Sequence, residues 1–116
     1  LRPDLSGLIV GGKTSGGEEL AQLLPAARIV KGIPPFAELM HADDPTIAGS
    51  PPGIFVCGDD AEAKAVVASL LAQLPAQVTD AGPLMSARFI EPAMLLAVRL
   101  AYLEGMGPRI ALRLQR

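Results

Sequence analysis

The apolar positions of this chain fall into short runs punctuated by glycine and proline. Ile54-Phe55-Val56-Cys57 is an unbroken apolar run ended by Gly58, the pattern of a buried strand. After it, Ala63, Val67, Leu70, Leu71 and Leu74 recur every three or four residues, with Glu62, Ser69 and Gln73 on the opposite side. That spacing predicts a helix with one apolar face, stopped by Pro75. Asp59 or Asp60 caps it, with Glu62 placed as the box partner of Asp59. Arg28-Ile29-Val30-Lys31 predicts a strand, and Gly32 to Pro35 a turn, because two prolines remove two ladder donors. Gln77-Val78-Thr79-Asp80 is a third strand broken by Gly82-Pro83.

Toward the N-terminus, residues 1 to 14 read as loop, with Leu8-Ile9-Val10 as a short extended piece. Ser15-Gly16-Gly17-Glu18 then has the spacing of a capping box and predicts a helix to about Leu24. Residues 36 to 40 form a helical turn, and residues 43 to 53 a proline-rich loop. A long helical region runs from about Leu84 to Glu104, with Pro92 either kinking it or starting its second segment. Ile110, Leu112 and Leu114 alternate with small or polar residues and suggest an edge strand. Helices alternating with strands predict an α/β fold: a partial Rossmann-type, three-layer unit with a short parallel or mixed sheet and a long C-terminal helix. At 116 residues, half of them apolar, the chain is one domain spanning 1–116. So few short strands make a thin sheet, which a further segment or a partner chain should extend.

The long helix has an unusual pattern. Arg88, Glu91 and Arg99 lie close to one line, while Met85, Phe89, Ile90, Met94, Leu95, Leu96, Val98, Leu100 and Leu103 spread over much of the rest. A helix apolar on most sides must be covered on more than one. In a chain this small that implies a partner surface, here expected to be a homodimer through residues 84–104, or else a missing half.

Charge narrows the partners. The net charge is −2, and the chain has three Phe, one Tyr and no Trp. Nucleic acid is excluded as an expectation, since phosphate binding needs clustered cations and stacking needs aromatics. The most apolar stretch, Ala93 to Leu103, contains Arg99 and is too short for a bilayer, so no membrane partner is expected. A single Cys57 fits a reducing cytoplasm. One His and one Cys, widely separated, predict no zinc site.

Candidate chemistry is sparse. Gly7, Gly12, Lys13 and Thr14 match the spacing of a phosphate-binding P-loop, with Asp59 as a conceivable magnesium partner. That chemistry needs a strand before the first glycine, and only six residues, Pro3 among them, precede Gly7. Ser15 has no nearby His to act as its base. Cys57 reads as a small core residue, and His41 with Asp43 and Asp44 as a solvated loop. No catalytic residue is assigned.

Several segments together resemble the C-terminal half of the NADP-dependent oxidoreductases of the coenzyme F-420 type. They are Pro3-Asp4-Leu5-Ser6-Gly7, Ser15-Gly16-Gly17-Glu18-Glu19, Ala27-Arg28-Ile29-Val30-Lys31, and Phe55-Val56-Cys57-Gly58-Asp59-Asp60-Ala61-Glu62-Ala63-Lys64. Asp80-Ala81-Gly82-Pro83-Leu84, Ala87-Arg88 before Glu91-Pro92, and Leu100-Ala101-Tyr102 continue the match. The resemblance implies hydride transfer between NADP(H) and a deazaflavin-type acceptor, with both cofactors as small-molecule partners. It also implies that the N-terminal glycine fingerprint for the phosphates lies outside this chain, which would then be inactive alone. Lys31, Gly32, Ile33 and Pro34 would lie by the nicotinamide, and Ala81, Gly82, Pro83 and Leu84 would wall the acceptor pocket. Where the family reads Ala-Phe-Asn-Thr after the strand, this chain has Gly32-Ile33-Pro34-Pro35 and no Asn anywhere. That departure leaves a second reading open, a non-catalytic dimerisation or interaction domain derived from such an enzyme. A small P-loop nucleotide binder is a third.

Overall fold

The computed structural model describes residues 1–116. Ser15 caps α1 (Gly16–Leu23) by accepting the Glu18 amide. Strand β1 (Val30–Ile33) leads through the short helix α2 (Ala37–Met40) and a long loop to β2 (Gly53–Gly58). Helix α3 (Ala61–Leu71) carries the chain to β3 (Gln77–Asp80), and a 3₁₀ turn at Leu84–Ser86 opens α4 (Ala87–Tyr102). No helix is long and apolar enough to cross a membrane.

The sheet is mixed, in the order β1-β2-β3. β1 runs antiparallel to β2, with Lys31 opposite Cys57 and Ile33 opposite Phe55. β3 runs parallel to β2, with Ile54 opposite Val78. Side chains alternate across the pleat, so Ile33, Cys57 and Phe55 face one layer while Ile54 and Val56 face the other. On the first face Ile33 and Cys57 pack with Leu84, Ala87 and Ile90 of the 3₁₀ turn and α4. Helix α3 packs against β2 and completes the expected three-layer α/β unit.

The boundaries differ from the sequence pattern in several places, each for a physical reason. β1 covers Val30–Ile33 instead of Arg28–Lys31. Its register is set by β2, whose last residue, Gly58, lies opposite Val30. The prolines at 34 and 35 end the strand, while Gly32 stays inside it with Val56 packed beside it. Asp60, not Asp59, caps α3 by accepting the Ala63 amide; Asp59 is turned away to the Leu84 amide. Pro92 sits inside a single continuous helix. It is exposed there, so the hydrogen bond it cannot make falls on the solvent side. Leu8-Ile9-Val10 forms bends and no strand. The tail does not become an edge strand: residues 108–116 make one backbone hydrogen bond to the rest of the chain, from Gly53 N–H to Leu112 O at 2.8 Å.

The helices also bury different amounts. α3 buries no residue, and Val66 and Leu70 are more than half exposed. The apolar face foreseen for it is therefore only partly covered. α4 buries Ala87, Ile90, Glu91 and Ala101. Only 15 of 116 residues are buried, so this fold presents a large apolar surface for its size.

Candidate functional site

Three polar anchors and one apolar cavity position the residues of interest. The first anchor is Glu91, the buried acid of α4. Its carboxylate accepts the Gly16 amide at 2.8 Å and the Gly17 amide at 3.0 Å. Lys31 Nζ approaches the same carboxylate at 3.6 Å. The first amides of a helix lack internal partners and attract an anion, and here an internal side chain satisfies them. A Cβ on Gly16 would sit 3.3 Å from that carboxylate, which would have to give by a few tenths of an ångström.

The second anchor lies one turn away. Arg88 donates to Glu18 through both Nε and Nη2, at 2.9 and 2.8 Å. Ser15 Oγ also donates to Glu18 at 2.8 Å. The expected capping box thus returns to the Ser15 hydroxyl and to Arg88, with no bond to the cap amide. The Arg88 hydrogen bonds, followed by the one from Ser15, hold the Glu18 carboxyl below its ordinary value.

The third anchor fixes the turn from Asp80 to Leu84. Asp80 accepts the Gly82 amide at 2.8 Å, and Lys64 Nζ lies 3.0 Å from Asp80 and 3.1 Å from Gly82 O. Gly58 N–H also donates to Gly82 O at 3.0 Å. Asp59 accepts the Leu84 amide at 2.9 Å. The Gly82 amide, then Lys64, keep the Asp80 carboxyl low. Gly82 has φ +93°, a backbone that a side chain would strain. Cys57 lies beneath, and burial pushes its thiol up, which leaves it a poor nucleophile.

The cavity lies at the other end of β1. It has a volume of about 260 Å³ between the Ile33–Ala37 segment, the start of β2, Met94, Ala97 and Val98 of α4, and the tail residues Ile110, Ala111 and Leu112. No lining residue is charged or carries a polar side chain. Phe36, Phe55 and Met94 give it aromatic and polarizable surface. Phe36 is braced edge-to-face by Tyr102, with ring centroids 5.7 Å apart.

The sequence-predicted site residues therefore divide. Ile33 and Pro34 line the cavity. Gly32 sits in the strand against Val56, and Lys31 points to Glu91. Ala81, Gly82 and Pro83 lie at the opposite end of the sheet, beside Gly58. Leu84 turns into the core. Lys31 and Leu84 both meet Gly17, at 3.6 and 3.5 Å from its Cβ position, so the start of α1 joins the two groups. The pattern of the sequence missed Phe36, Phe55, Met94 and the tail as cavity walls. Phe55 was legible as an apolar strand residue, but its facing was fixed only by pairing.

The P-loop spacing lacks the geometry that chemistry requires. No strand precedes Gly7. The first amides of α1 hold Glu91, and Asp59 accepts the Leu84 amide. The residues present suit an uncharged ring in the cavity. They do not suit a pyrophosphate: the first amides of α1 hold Glu91, the start of α3 is capped by Asp60, and no glycine fingerprint follows a strand.

No family model matches the sequence. Among solved structures, the chain is similar to a protein from Arthrobacter sp. FB24 that carries the provisional name of F420-dependent NADP-reductase. The identity is 33% and the TM-score 0.81, over 95% of this chain and 50% of that one. The chain thus spans half the length of the structure it matches.

Proposed function

We propose that this chain, similar over 95% of its length to half of a structure that carries the provisional name of F420-dependent NADP-reductase, supplies the ring-facing part of a hydride-transfer site. The reaction runs between NADP(H) and a deazaflavin-type acceptor. The observation that carries this reading is the apolar cavity at Ile33 and Pro34, in the segment that the resemblance sets beside the rings. Hydride transfer is the cofactors' own chemistry; the protein must orient the rings and exclude water. A cavity without acid, base or nucleophile suits that task. Gly16, Gly17 and Glu91 form a self-satisfied joint, so the nucleotide phosphates would be held by residues outside these 116. The single, buried and unpaired Cys57 is compatible with action in the cytoplasm.

The experiment is reconstitution in trans. The half of the Arthrobacter protein without a counterpart here is expressed separately and mixed with this chain. NADPH oxidation with a deazaflavin acceptor should appear in the mixture and in neither part alone. The isolated chain should show no saturable NADPH fluorescence change in the micromolar range. Micromolar binding by the chain alone would overturn the division of labour.

A second reading, a non-catalytic homodimerising domain, draws on α4. All three of its charged residues are engaged inward: Arg88 on Glu18, Glu91 on α1, and Arg99 Nη1 on Leu5 O at 2.6 Å. Met85, Phe89, Leu96 and Leu103 are left 44, 68, 54 and 50% exposed. With Pro92 they form a stripe at the three-and-four spacing of a helix seam, interrupted only at Arg99, whose guanidinium is turned to Leu5 O. We propose that a second copy covers this stripe. Sedimentation should show a dimer, and Phe89→Ser with Leu96→Ser should give a folded monomer. If that monomer still supports NADPH oxidation when complemented, dimerisation and catalysis are separate properties.

A further inference from the structure

The C-terminal tail forms part of the wall of the cavity at Ile33 and Pro34. Ile110, Ala111 and Leu112 line it together with Phe36 and Phe55. Yet residues 108–116 have no regular structure and one backbone hydrogen bond to the body, Gly53 N–H to Leu112 O. Their other polar contacts are Arg109 to the carbonyls of Asp44 and Thr46, both at 3.5 Å, a distance at which little strength remains.

That one bond forms where the two backbones come unusually close. A Cβ at position 53 would lie 2.7 Å from Leu112 O and 3.0 Å from Arg113 Cα. Both are backbone atoms, so no side-chain rotation can relieve the overlap. Gly53 is therefore the point at which the tail can be seated, and any other residue there must displace it.

We propose that residues 110–112 are a strap that closes a binding site for an uncharged aromatic ring, with Gly53 as its seat. The ligand class follows from the walls. An ion would leave its water without any charged or polar side chain to replace it. A cavity of about 150 Å³ holds one benzene, so 260 Å³ has room for a fused pair of rings. The strap decides how much of that ring is hidden from water. The identity of the ring in the complete reaction rests on the reading given above; the closure of the cavity does not.

The test uses the whole chain, the neutral dye N-phenyl-1-naphthylamine, and trypsin. In the wild type the dye should brighten on binding, and cleavage after Arg109 and Arg113 should be slow and slower still with dye present. Gly53→Ala should speed those two cleavages about tenfold or more, as expected for an overlap that backbone movement must relieve, and should weaken dye binding. A chain ending at Pro108 removes the strap without touching Gly53 and should weaken the dye equally, which covers the case in which Gly53→Ala folds poorly. Ala97→Phe, which fills the cavity from α4, should abolish dye binding while the tail stays protected. The proposal is overturned if the dye binds equally well without the tail or with the cavity filled. It is also overturned if the wild-type tail is cut as fast as that of Gly53→Ala. Neither NADP nor a deazaflavin enters these assays, so failure of reconstituted hydride transfer would leave them unaffected, and their failure would leave the hydride reading standing.

Discussion

From Ala87 to Glu91, helix α4 is held to its neighbours by charge and by close packing; from Met94 to Val98 it borders open space. At the first end two glycine amides, a lysine and a Glu–Arg pair converge within two turns. At the second, a few half-buried side chains face a cavity bordered by a tail on a single backbone bond. The comparison separates positioning from reception. The polar joint fixes the angle of the helix against the sheet. The apolar end can then stay under-packed, because the helix needs no contacts there to keep its place.

The strongest way to break this contrast is at Glu91. Glu91→Ala strands two amides and leaves Lys31 without its partner. A buried donor left unsatisfied costs about 1–3 kcal/mol, so we expect a loss of roughly 2–4 kcal/mol and a fall in Tm on the order of 10 °C. A melting curve checks it; a shift of a degree or two would mean that the joint is not what holds α4. At the open end the opposite sign is expected. Ala97→Leu adds three carbons to empty space and should stabilise by about 1–2 kcal/mol, given about 0.8 kcal/mol per buried carbon less about 0.5–1 kcal/mol of side-chain ordering. Urea midpoints would show this, and a loss of stability would mean that the cavity has no room to give.

The smallest effect concerns pH. Glu18 has an ordinary value of 4.5 and is lowered in the folded chain, first by Arg88. A carboxyl lowered by folding stabilises fully above the unfolded value, and that stabilisation is lost as pH falls through the folded value. Urea midpoints should therefore drop below pH 4.5 in the wild type. The drop should be shallower in Glu18→Gln, with a remainder left to Asp80, Asp44 and Asp4, lowered first by hydrogen bonds from Gly82, Thr46 and Ser6 respectively. Identical acid limbs would show that the Glu18–Arg88 pair adds nothing.

These contrasts explain what could be seen from the sequence. β2 and β3 were legible because they are local: an apolar run ended by glycine, and a short run ended by Gly82-Pro83. Ser15 and α1 were legible for the same reason, since a cap is settled within one turn. β1 was displaced by two residues because its limits belong to β2, which decides where pairing starts. Helix α3 had a periodic face, yet periodicity does not reveal how much lies above it, and Leu70 is 60% exposed. The cavity was invisible because its walls come from four distant segments. Glu91 was visible only beside Pro92 and as one of a line of polar residues with Arg88 and Arg99. Its partners lie 74 and 75 positions away, and no local pattern encodes that distance. The inward turn of all three α4 charges was half visible, as a line of polar residues whose direction the sequence left open.

The Gly16–Glu91 joint also bears on the order in which the chain assembles. The β2-α3-β3 unit closes over short separations, so its loop-closure entropy is small and it can form early. The amides that open α1 emerge well before Glu91 during synthesis and find their carboxylate only after 75 further residues have been made. Until then α1 is a short helix with its N-terminus only partly satisfied, marginal on its own in water. The clasp that fixes α1, β1 and α4 together is thus late relative to the β2-α3-β3 unit, and it ties two helices far apart along the chain. Slowing that step, as a change at Gly16 or Glu91 should, would prolong the time during which β1 and the apolar sides of α1 and α4 stand open to other chains.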